Sequence, residues 1–454
     1  MGRRWEGDER ERRLPPRRLR RIAAKKWRRL ITGIAMAVSV GVGSGGAVAQ
    51  PNGERDAGEP APSAWVAVAK AGLGDAKTEV FTPFAEFRGA LYLGGLNTAA
   101  GCQLWRSADG DRWDVVVGPG AATPSGFGNP RNTSINTLLA FGERLYAGTW
   151  NQDDGAQLWR SADGLAWEAI VGGEAPMGGG FGKQENSGIT ALAAFHNMLF
   201  AGTSSLYCKD GVELWLSRDG GQTWEAVAGE RIALQTALAR ESKYFLDLKE
   251  FRGALYVATG DQRTGGSEIW RTEDGRRWDA VVGAPSPYRA GMGHPDHDMI
   301  YELETFHGYL YAGVFNFART GGALWRSPDG STWEIIAGDD RSPYPAGFGD
   351  PANIGLTTLE PFHDRLYVGT TNEAGGQLWM SADGRQWQQV VGPGATTPAG
   401  FGNAHNRAIN TLHVFRGRLY AGIHNTQEGA ELWRSVHAPR RHSKWTEQSI
   451  VHSP

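Results

Sequence analysis

The stretch QLWRSADGLAW, residues 157–167, decides the fold, because close copies of it recur along the chain. Its first half alternates in polarity, so Leu158 and Arg160 are expected on opposite faces of a β-strand. The Asp163-Gly164 pair is typical of a tight turn, since aspartate accepts backbone N–H bonds and glycine permits a positive φ. The first tryptophan of the phrase recurs at spacings of 54 to 56 residues, at Trp105, Trp159, Trp215, Trp270, Trp325, Trp379 and Trp433.

Each copy lies in a larger repeat that predicts four short strands. A strand upstream of the phrase carries Leu145-Tyr146, the strand before it ends at Phe141, and a further strand follows Trp167. Four antiparallel strands cannot bury both faces of their sheet alone, so the repeats are expected to stack around an axis. We therefore predict an all-β fold, a seven-bladed β-propeller of four-stranded antiparallel blades, with a solenoid of β-units as the alternative. The repeats lie near residues 78–132, 133–186, 187–243, 244–298, 299–353, 354–406 and 407–454.

The strand that closes the ring can come from either end of the chain. Residues 65–68, followed by the Gly-Leu-Gly of residues 72–74, match the last strand and exit loop of the other repeats. Residues 445–448 compete for the same place, and the N-terminal strand is slightly favoured. The propeller domain is accordingly assigned to residues 64–454.

The first fifty residues are typical of an export signal. Residues 1–30 hold thirteen Arg or Lys and four acidic residues, an apolar run follows from Leu30 to Val40, and small residues end at Ala49. The apolar run is shorter than the roughly 20 residues that a membrane-spanning helix needs. We expect an export signal peptide over residues 1–49 and a flexible linker over 50–63. The protein would then be secreted or extracytoplasmic, without a membrane-spanning segment.

Removal of this leader changes the charge of the chain. It leaves 34 basic and 45 acidic residues. Proteins that bind nucleic acid through its phosphates usually carry a basic stripe or excess, so no nucleic-acid partner is expected. The two cysteines, Cys102 and Cys208, fall in repeats that should not touch, and both are expected to be unpaired.

The turn of residues 161–167 resembles the Asp-box of the BNR (sialidase-like) and sortilin-like propellers. In that family the serine and aspartate hold a hairpin, the tryptophan packs under it, and the box lies opposite the ligand face. Most copies here are one residue shorter than the family pattern, and the seventh, around Ser435 and His437, lacks the aspartate. The resemblance implies a structural role for Asp109, Asp163, Asp219, Asp274, Asp329 and Asp383.

The resemblance does not imply sialidase activity. Sialidases have six units and an Arg-Ile-Pro segment, whereas this chain has seven repeats and no such segment. The family's arginine triad therefore cannot be carried over to any residues of this sequence.

The ligand face of such a propeller is built by the loops between second and third strands and by the loops that join blades. An asparagine follows the second strand in five repeats, and Asp261 takes its place in the fourth, with Arg263 close by. Residues that recur in most repeats suit turn formation as well as ligand binding. These candidate ligand residues are Asn97, Asn151, Asn316, Asn372, Asn425, Asp261 and Arg263.

Departures from the repeat are more informative, because one asymmetric ligand needs asymmetric groups. The exit loop of the fourth repeat reads His294-Pro295-Asp296-His297-Asp298, with His297 where other repeats have asparagine. The exit loop of the third repeat ends at Tyr244, and the inter-strand loops of the second and fifth repeats are expected to expose further side chains. The ligand residues expected there are Tyr244, Trp150, Phe315, Phe317 and Arg319.

The chemistry of this sector stays open at the level of sequence. His294, Asp296 and His297 are of types that bind metals, but their spacing matches no recognised motif and an ordinary polar loop is preferred. His297 and Asp298, with Asp261, are the catalytic candidates as acid and base. A glycosidase needs two carboxyl groups roughly 5 to 10 Å apart. The carboxyl candidates are Asp153, Asp154, Asp261, Asp296 and Asp298.

Three functions follow as hypotheses. The preferred one is an exported binding module that recognises a glycan or a cell-surface protein, with Trp150 and Phe315 stacking on a sugar and asparagines bonding its hydroxyls. The second is a carbohydrate-active enzyme, either a glycoside hydrolase or a polysaccharide lyase. The third is a scaffold that assembles an exported complex, which an apolar patch on the rim would favour. The fold alone cannot choose among them.

Overall fold

The computed structural model describes residues 64–205, 212–229, 244–260, 266–294, 296–339 and 341–436. Nearly all regular structure in this part is β-strand. The first half of the strands comprises β1 (Ala64–Ala69), β2 (Val80–Phe87), β3 (Ala90–Leu96), β4 (Gln103–Ser107), β5 (Asp114–Val117), β6 (Ser134–Phe141), β7 (Arg144–Trp150), β8 (Leu158–Ser161), β9 (Glu168–Val171), β10 (Gly188–Phe195), β11 (Met198–Ser204), β12 (Leu214–Ser217), β13 (Glu225–Ala228) and β14 (Tyr244–Phe251).

The second half continues the same alternation of long and short strands. It comprises β15 (Ala254–Gly260), β16 (Ile269–Thr272), β17 (Asp279–Val282), β18 (Met299–Phe306), β19 (Tyr309–Phe315), β20 (Ala323–Ser327), β21 (Glu334–Ala337), β22 (Gly355–Phe362), β23 (Arg365–Thr371), β24 (Leu378–Ser381), β25 (Gln388–Val391), β26 (Ala408–Phe415), β27 (Arg418–His424) and β28 (Leu432–Val436). Short helical turns precede the first strands, at Ala71–Gly74, Ser125–Gly128, Gly179–Gly182, Ala290–Gly293, Ala346–Gly349 and Ala399–Gly402.

Four consecutive strands pair in antiparallel order to form a unit, as β2 to β5 do. Counted along the chain, the units begin at β2, β6, β10, β14, β18, β22 and β26. The last unit takes its fourth strand from the N-terminal side, because β1 pairs with β28 and places Trp65 opposite Ser435. The Trp65 ring also packs edge-on against Phe401, with centroids 5.4 Å apart. The predicted closure by the N-terminal strand is confirmed, and the competing residues 445–448 lie outside the described residues.

The second strand of each unit also touches the first strand of the next, and these contacts close into a ring. Fourteen strands, the first and second of every unit, therefore form a closed barrel, with the other strands outside it. This closure makes the chain a β-propeller and excludes the open solenoid. The contacting pairs are Leu96 with Ser134, Trp150 with Gly188, Ser204 with Tyr244, Gly260 with Met299, Phe315 with Gly355, Thr371 with Ala408, and His424 with Val80.

The turns between third and fourth strands all lie on one face of the ring. In the second unit, Asp163 accepts N–H bonds from Leu165 and Ala166 at 2.8 Å, while the Gly164 N–H donates to the Ser161 hydroxyl. These bonds lower the pKa of Asp163, since they favour the ionised carboxylate. The same arrangement of bonds recurs at Asp109, Asp274 and Asp329. The turn aspartates therefore hold their own hairpins.

Neighbouring units interlock beneath these turns. The Tyr92 ring of the first unit reaches Gly164 of the second, where an added Cβ would lie 1.9 Å from the tyrosine oxygen. In the same core cluster, Phe127 of an exit loop stacks on Trp159 at 4.7 Å and meets the edge of Trp167. Each unit thus completes its core with side chains from the unit before it.

Several expectations fall on residues that the structure does not describe. These are the signal peptide of residues 1–49, the linker of residues 50–63, and Cys208. Cys102 is fully buried. Within the described ranges, no helix combines the length and apolarity needed to cross a membrane.

Candidate ligand site on the loop face

The loops between second and third strands lie on the same face as the loops that join units, opposite the Ser-x-Asp-Gly turns. Where the first unit meets the second, three loop side chains and the first tryptophan of the repeat form what we call the boundary network: Asn132, Asn151, Gln157 and Trp159. Asn151 donates to Asn132 at 2.9 Å, and Asn132 donates in turn to the Gln157 oxygen at 2.7 Å. The Trp159 indole N–H donates to that same Gln157 oxygen at 3.1 Å.

The boundary network recurs at later boundaries with the same geometry. Where the fifth unit meets the sixth, Asn372 donates to Asn353, and both Asn353 and the following tryptophan donate to Gln377. Where the sixth unit meets the seventh, Asn425, Asn406 and Glu431 repeat the pattern. The network is therefore a repeated structural joint.

These bonds correct the expectation that the recurrent asparagines line an exposed rim. Asn97, Asn151, Asn372 and Asn425 are buried, and each oxygen accepts backbone N–H bonds from its own loop. Their amide N–H groups are used at the boundary, or on Asp75 in the case of Asn97. Because these groups are already bonded inside the protein, they are not available to a ligand.

The boundary between the fourth and fifth units departs from the pattern. His297 replaces the exit-loop asparagine, and Ala323 replaces the glutamine or glutamate. Three buried polar atoms there have no hydrogen-bond partner: His297 Nδ1, Asn316 Oδ1 and Trp325 Nε1. The amide of Asn316 donates instead to Thr320 and to the Gly321 carbonyl. The joint that the described parts of other boundaries close with side-chain bonds is open here.

A cleft of about 420 Å³ lies at this open boundary. Its walls come from the exit loop of the fourth unit, the inter-strand loop of the fifth, and the exit loop of the fifth. The cleft brings His294, Asp296 and His297 of the fourth unit's exit loop, which depart from the repeat in sequence, next to Asn316, one of the recurrent asparagines. The polar lining consists of His294, Asp296, His297, Asn316, Thr320 and Asp339.

The histidines of the cleft form a stacked pair, with His294 and His297 centroids 4.6 Å apart. Burial and the neighbouring His294 lower the pKa of His297 to about 4, so its imidazole is neutral near pH 7. The amide N–H of Asp296 donates to His294 Nδ1 at 3.2 Å, which leaves the other nitrogen of that ring to carry the proton.

Two carboxyl groups, Asp296 and Asp339, line the cleft. Desolvation raises the pKa of Asp339, but hydrogen bonds and charge from Arg341 outweigh it and leave the pKa below its ordinary value. Arg341 contacts this carboxylate at 2.6 and 3.0 Å. The cleft therefore combines the neutral imidazole of His297 with two carboxyl groups, Asp296 and Asp339, a composition suited to ligands rich in hydrogen-bonding groups.

The expectation that Trp150, Phe315 and Tyr244 are exposed for ligand contact is wrong. All three are strand residues, at most 8% exposed, in a cluster with Met299 and Tyr301 where the inner strands meet. Glycines opposite the rings make the room, since an added Cβ would lie 2.5 Å from Trp150 at Gly188 and 2.3 Å from Phe315 at Gly355. These rings plug the centre of the loop face and are not available to stack on a sugar.

Other predicted residues lie beside the cleft. Asp298 accepts the Phe317 N–H at 2.7 Å and so anchors the inter-strand loop of the fifth unit. Phe317 is 37% exposed, and Arg319 is exposed and pairs with Glu373. Both side chains are therefore exposed, as expected.

The remaining chemical candidates are not assembled into a reactive group. Asp153 and Asp154 pair with Arg131 at an exposed site in the second unit, and Asp261 and Arg263 lie outside the described residues. Among the residues that the structure describes, no group of three His, Cys, Asp or Glu side chains is placed to hold a metal.

Sequence reasoning missed Ala323, Trp325 and Asp339. The available signal was Ala323, which lies two residues before the repeated tryptophan where the other repeats have glutamine or glutamate. Alanine carries no reactive group, so the position is notable only for the absence of the glutamine or glutamate side chain found in the other repeats.

Comparisons with known proteins complete the description of the site. No family model and no curated protein matches the chain. The structure of the GH74 xyloglucanase from Xanthomonas campestris is similar over 80% of this chain and 54% of its own, at 19% identity and a TM-score of 0.48. YCF48 from Cyanidioschyzon merolae is similar over 82% of this chain and 99% of its own, at 12% identity and a TM-score of 0.49.

A puromycin hydrolase is similar over 81% of this chain and 53% of its own, at 12% identity and a TM-score of 0.47. This chain thus spans about half of the length of the xyloglucanase and of the hydrolase. At such identities and TM-scores the likenesses carry no argument about activity, so function must be argued from the cleft itself.

Proposed function

We propose that the protein is an exported, seven-bladed propeller of the Asp-box kind that binds a neutral glycan in the cleft between its fourth and fifth units. The observation that carries the proposal is the cleft at the open boundary network, where His297, Asn316 and Trp325 have buried polar atoms without partners that a ligand group entering the joint would reach. A buried polar group without a partner costs free energy, roughly 1 to 3 kcal/mol. A ligand that satisfies these groups would recover that cost.

To satisfy all three atoms, a ligand must both donate and accept hydrogen bonds. Asn316 Oδ1 is an acceptor, Trp325 Nε1 is a donor, and the neutral His297 can present either. Sugar hydroxyls do both, and the ionised Asp339 accepts a further hydroxyl hydrogen bond. The exposed Phe317 ring in the adjoining loop can pack on a sugar face.

The alternatives have less support in the described residues. An enzyme could use Asp296 and Asp339, the carboxyl groups of the cleft. A general acid needs a raised pKa, however, and the pKa of Asp339 is lowered. For a scaffold, the large apolar side chains exposed in the described part are Val66, Leu165 and Phe317, which are scattered through three units and form no patch.

The test is glycan-array binding of the full chain beside a His297→Asn/Ala323→Gln variant. This variant restores the boundary network of the other units, so it should fold. The new side chains should fill part of the cleft and give hydrogen-bond partners to the polar atoms that lack them. We expect the wild type to bind a specific glycan and the variant to lose at least about tenfold in affinity, the equivalent of one hydrogen-bond-sized term.

The control variant is His405→Ala, which removes an exposed histidine from the equivalent exit loop of the sixth unit. It should bind like the wild type. Absence of glycan binding by the wild type would overturn the glycan proposal, and equal binding by the restored variant would move the site away from this cleft.

A further inference from the structure

The first strands of the units line the centre of the propeller, and their side chains follow a repeated order. At the third position a threonine often bonds the neighbouring first strand, as Thr82 does to the Ile135 carbonyl and Thr190 to the Phe245 carbonyl. At the fourth position Thr358 accepts the Leu412 N–H across the next seam. Neutral hydroxyls are therefore sufficient to join these inner strands.

Three neighbouring inner strands carry charges instead. β14 contributes Asp247 and Lys249, β18 contributes Glu302 and Glu304, and β22 contributes Glu360. At the matching positions β2, β6 and β10 have Pro83 and Ala85, Thr137 and Leu139, and Ala191 and Ala193. We call the five charged residues the acidic seam. It concentrates four carboxyl groups and one ammonium on one side of the centre.

Most of the acidic seam is held by specific bonds. Lys249 pairs with Glu304 at 2.7 Å, with side chains 16% and 5% exposed. Asp247 accepts the Leu303 N–H at 2.7 Å, so a carboxylate does here what the Thr358 hydroxyl does elsewhere. Glu302 is 3% exposed, and its Oε2 has no hydrogen-bond partner.

The single ammonium cannot neutralise four carboxylates, so the acidic seam must take up protons. Burial, reinforced by Asp247 and Glu304, raises the pKa of Glu302 well above its ordinary value. Burial raises the pKa of Asp247 to about 7, and burial with the nearby Glu304 raises that of Glu360 to about 8. Across the next seam, the buried His413 has its pKa lowered by burial to about 4 and adds no positive charge near neutral pH.

We propose that Asp247, Glu302 and Glu360 form a proton-operated latch across β14, β18 and β22, closed when the carboxyl groups are protonated and loosened when they ionise. Like charges packed side by side in the interior repel one another, whereas a protonated carboxyl can donate to a neighbouring carboxylate. The hydroxyl-joined inner strands carry no such charge and should not respond.

The direction of the pH effect follows from linkage. Asp247 and Glu360 bind a proton more tightly in the fold than in the unfolded chain, so their stabilisation is complete below pH about 4 and is lost as pH rises through about 7 to 8. The raised pKa of Glu302 gives an effect in the same direction. Consider a carboxyl group that is protonated when the three strands are packed and ionised when they separate. Between its pKa in the separated state and its pKa in the packed state, it raises the equilibrium constant for separation about tenfold per pH unit.

The latch has a route to the loop face. The exit loop that holds His294 and His297 runs directly into β18, and the exit loop that holds Asp339 runs into β22. Loosening of the two strands would therefore shift two walls of the cleft. The latch proposal does not rest on ligand binding, because its test measures hydrogen exchange in the strands.

The test is hydrogen exchange followed by mass spectrometry on the full chain from pH 5.5 to 8.5, corrected for the intrinsic pH dependence of exchange. Peptides covering β14, β18 and β22 should lose about tenfold or more in protection toward alkaline pH, relative to peptides covering β2 and β6. In a Glu302→Gln/Glu360→Gln variant, which keeps shape and acceptors but cannot ionise, the selective loss should vanish.

The matched control is Glu86→Gln/Glu250→Gln, which removes two exposed carboxyl groups from the same kind of strand. It should retain the wild-type response. Uniform protection at all pH values in the wild type, or the same alkaline loss in the Glu302/Glu360 variant, would overturn the latch. Should the double variant fold poorly, the single Glu360→Gln variant at the partly exposed position must still reduce the response.

Discussion

Two boundaries of the propeller differ in a few side chains and in the length of one loop, since five residues separate Asn151 from Gln157 and six separate Asn316 from Ala323. Where the first unit meets the second, Asn132, Asn151, Gln157 and Trp159 bond one another in a closed network. Where the fourth meets the fifth, His297 Nδ1, Asn316 Oδ1 and Trp325 Nε1 have no partners, and the Asn316 amide donates within its own loop. The exit-loop backbone is nearly unchanged, since Met292 keeps the left-handed φ of 56° that Phe127 has at 55°.

The difference separates what the repeat needs from what one site needs. A network that recurs with the same bonds is a folding element, because every unit must be joined to the next. A network opened in one place, at the cost of buried polar groups without partners, departs from the consistency expected of a purely structural joint. Function is therefore best sought where the joint is incomplete.

The largest effect should come from breaking the closed network. Asn151→Ala removes the acceptor for the Asp153 and Asp154 N–H groups and the donor to Asn132. Because buried groups are left without partners, we expect a loss of about 3 kcal/mol in the free energy of unfolding. Urea denaturation measures it. A loss below about 1 kcal/mol would show that the network is not a structural joint.

The architecture could be predicted from the sequence because the same strand pattern recurs in every repeat. The spacing of Trp105 through Trp433, the four-strand pattern and the closing strand at Trp65 all correspond to observed strands. Each copy of the pattern reports the same local physics, so an error in one copy does not mislead. The same redundancy located the exit loop of the fourth unit as the exception.

Sequence was not sufficient for exposure. Trp150 and Phe315 are the last residues of strands that pair with Gly188 and Gly355 of the next unit, and only the ring closure shows that these glycines face the two rings. The acidic seam was missed for a similar reason. Asp247, Glu302 and Glu360 are more than fifty residues apart in sequence, and their repulsion exists only once the inner strands are side by side.

A second, smaller effect concerns pH. His297 has a pKa of about 4 in the fold, below its ordinary 6.5, so the unfolded chain binds the extra proton and stability falls as pH drops from about 6.5 toward 4. His297→Asn removes this term, so the stability of the variant relative to wild type should increase by about 2 kcal/mol between pH 7 and pH 5. Urea denaturation at both pH values measures it.

The exposed His405 offers the control for that measurement, since His405→Asn should run parallel to the wild type. Taking differences from the wild type also cancels the contribution of the acidic seam, which changes with pH in the opposite sense. If the curves for the His297 variant and wild type were parallel, the imidazole would not be the neutral buried group that the geometry implies.

The smallest effect on stability should come from the open boundary. Asn316→Ala removes donors to Thr320 and Gly321 but also an oxygen that already has no partner, so we expect a loss under about 1 kcal/mol, against about 3 for the same change at Asn151. If the proposed function holds, glycan affinity should nevertheless fall about tenfold or more, because the proposal assigns this oxygen a hydrogen bond to the ligand. A large loss of stability with unchanged glycan affinity would show that Asn316 has the same structural role as Asn151. It would contradict the assignment of a ligand site to this boundary.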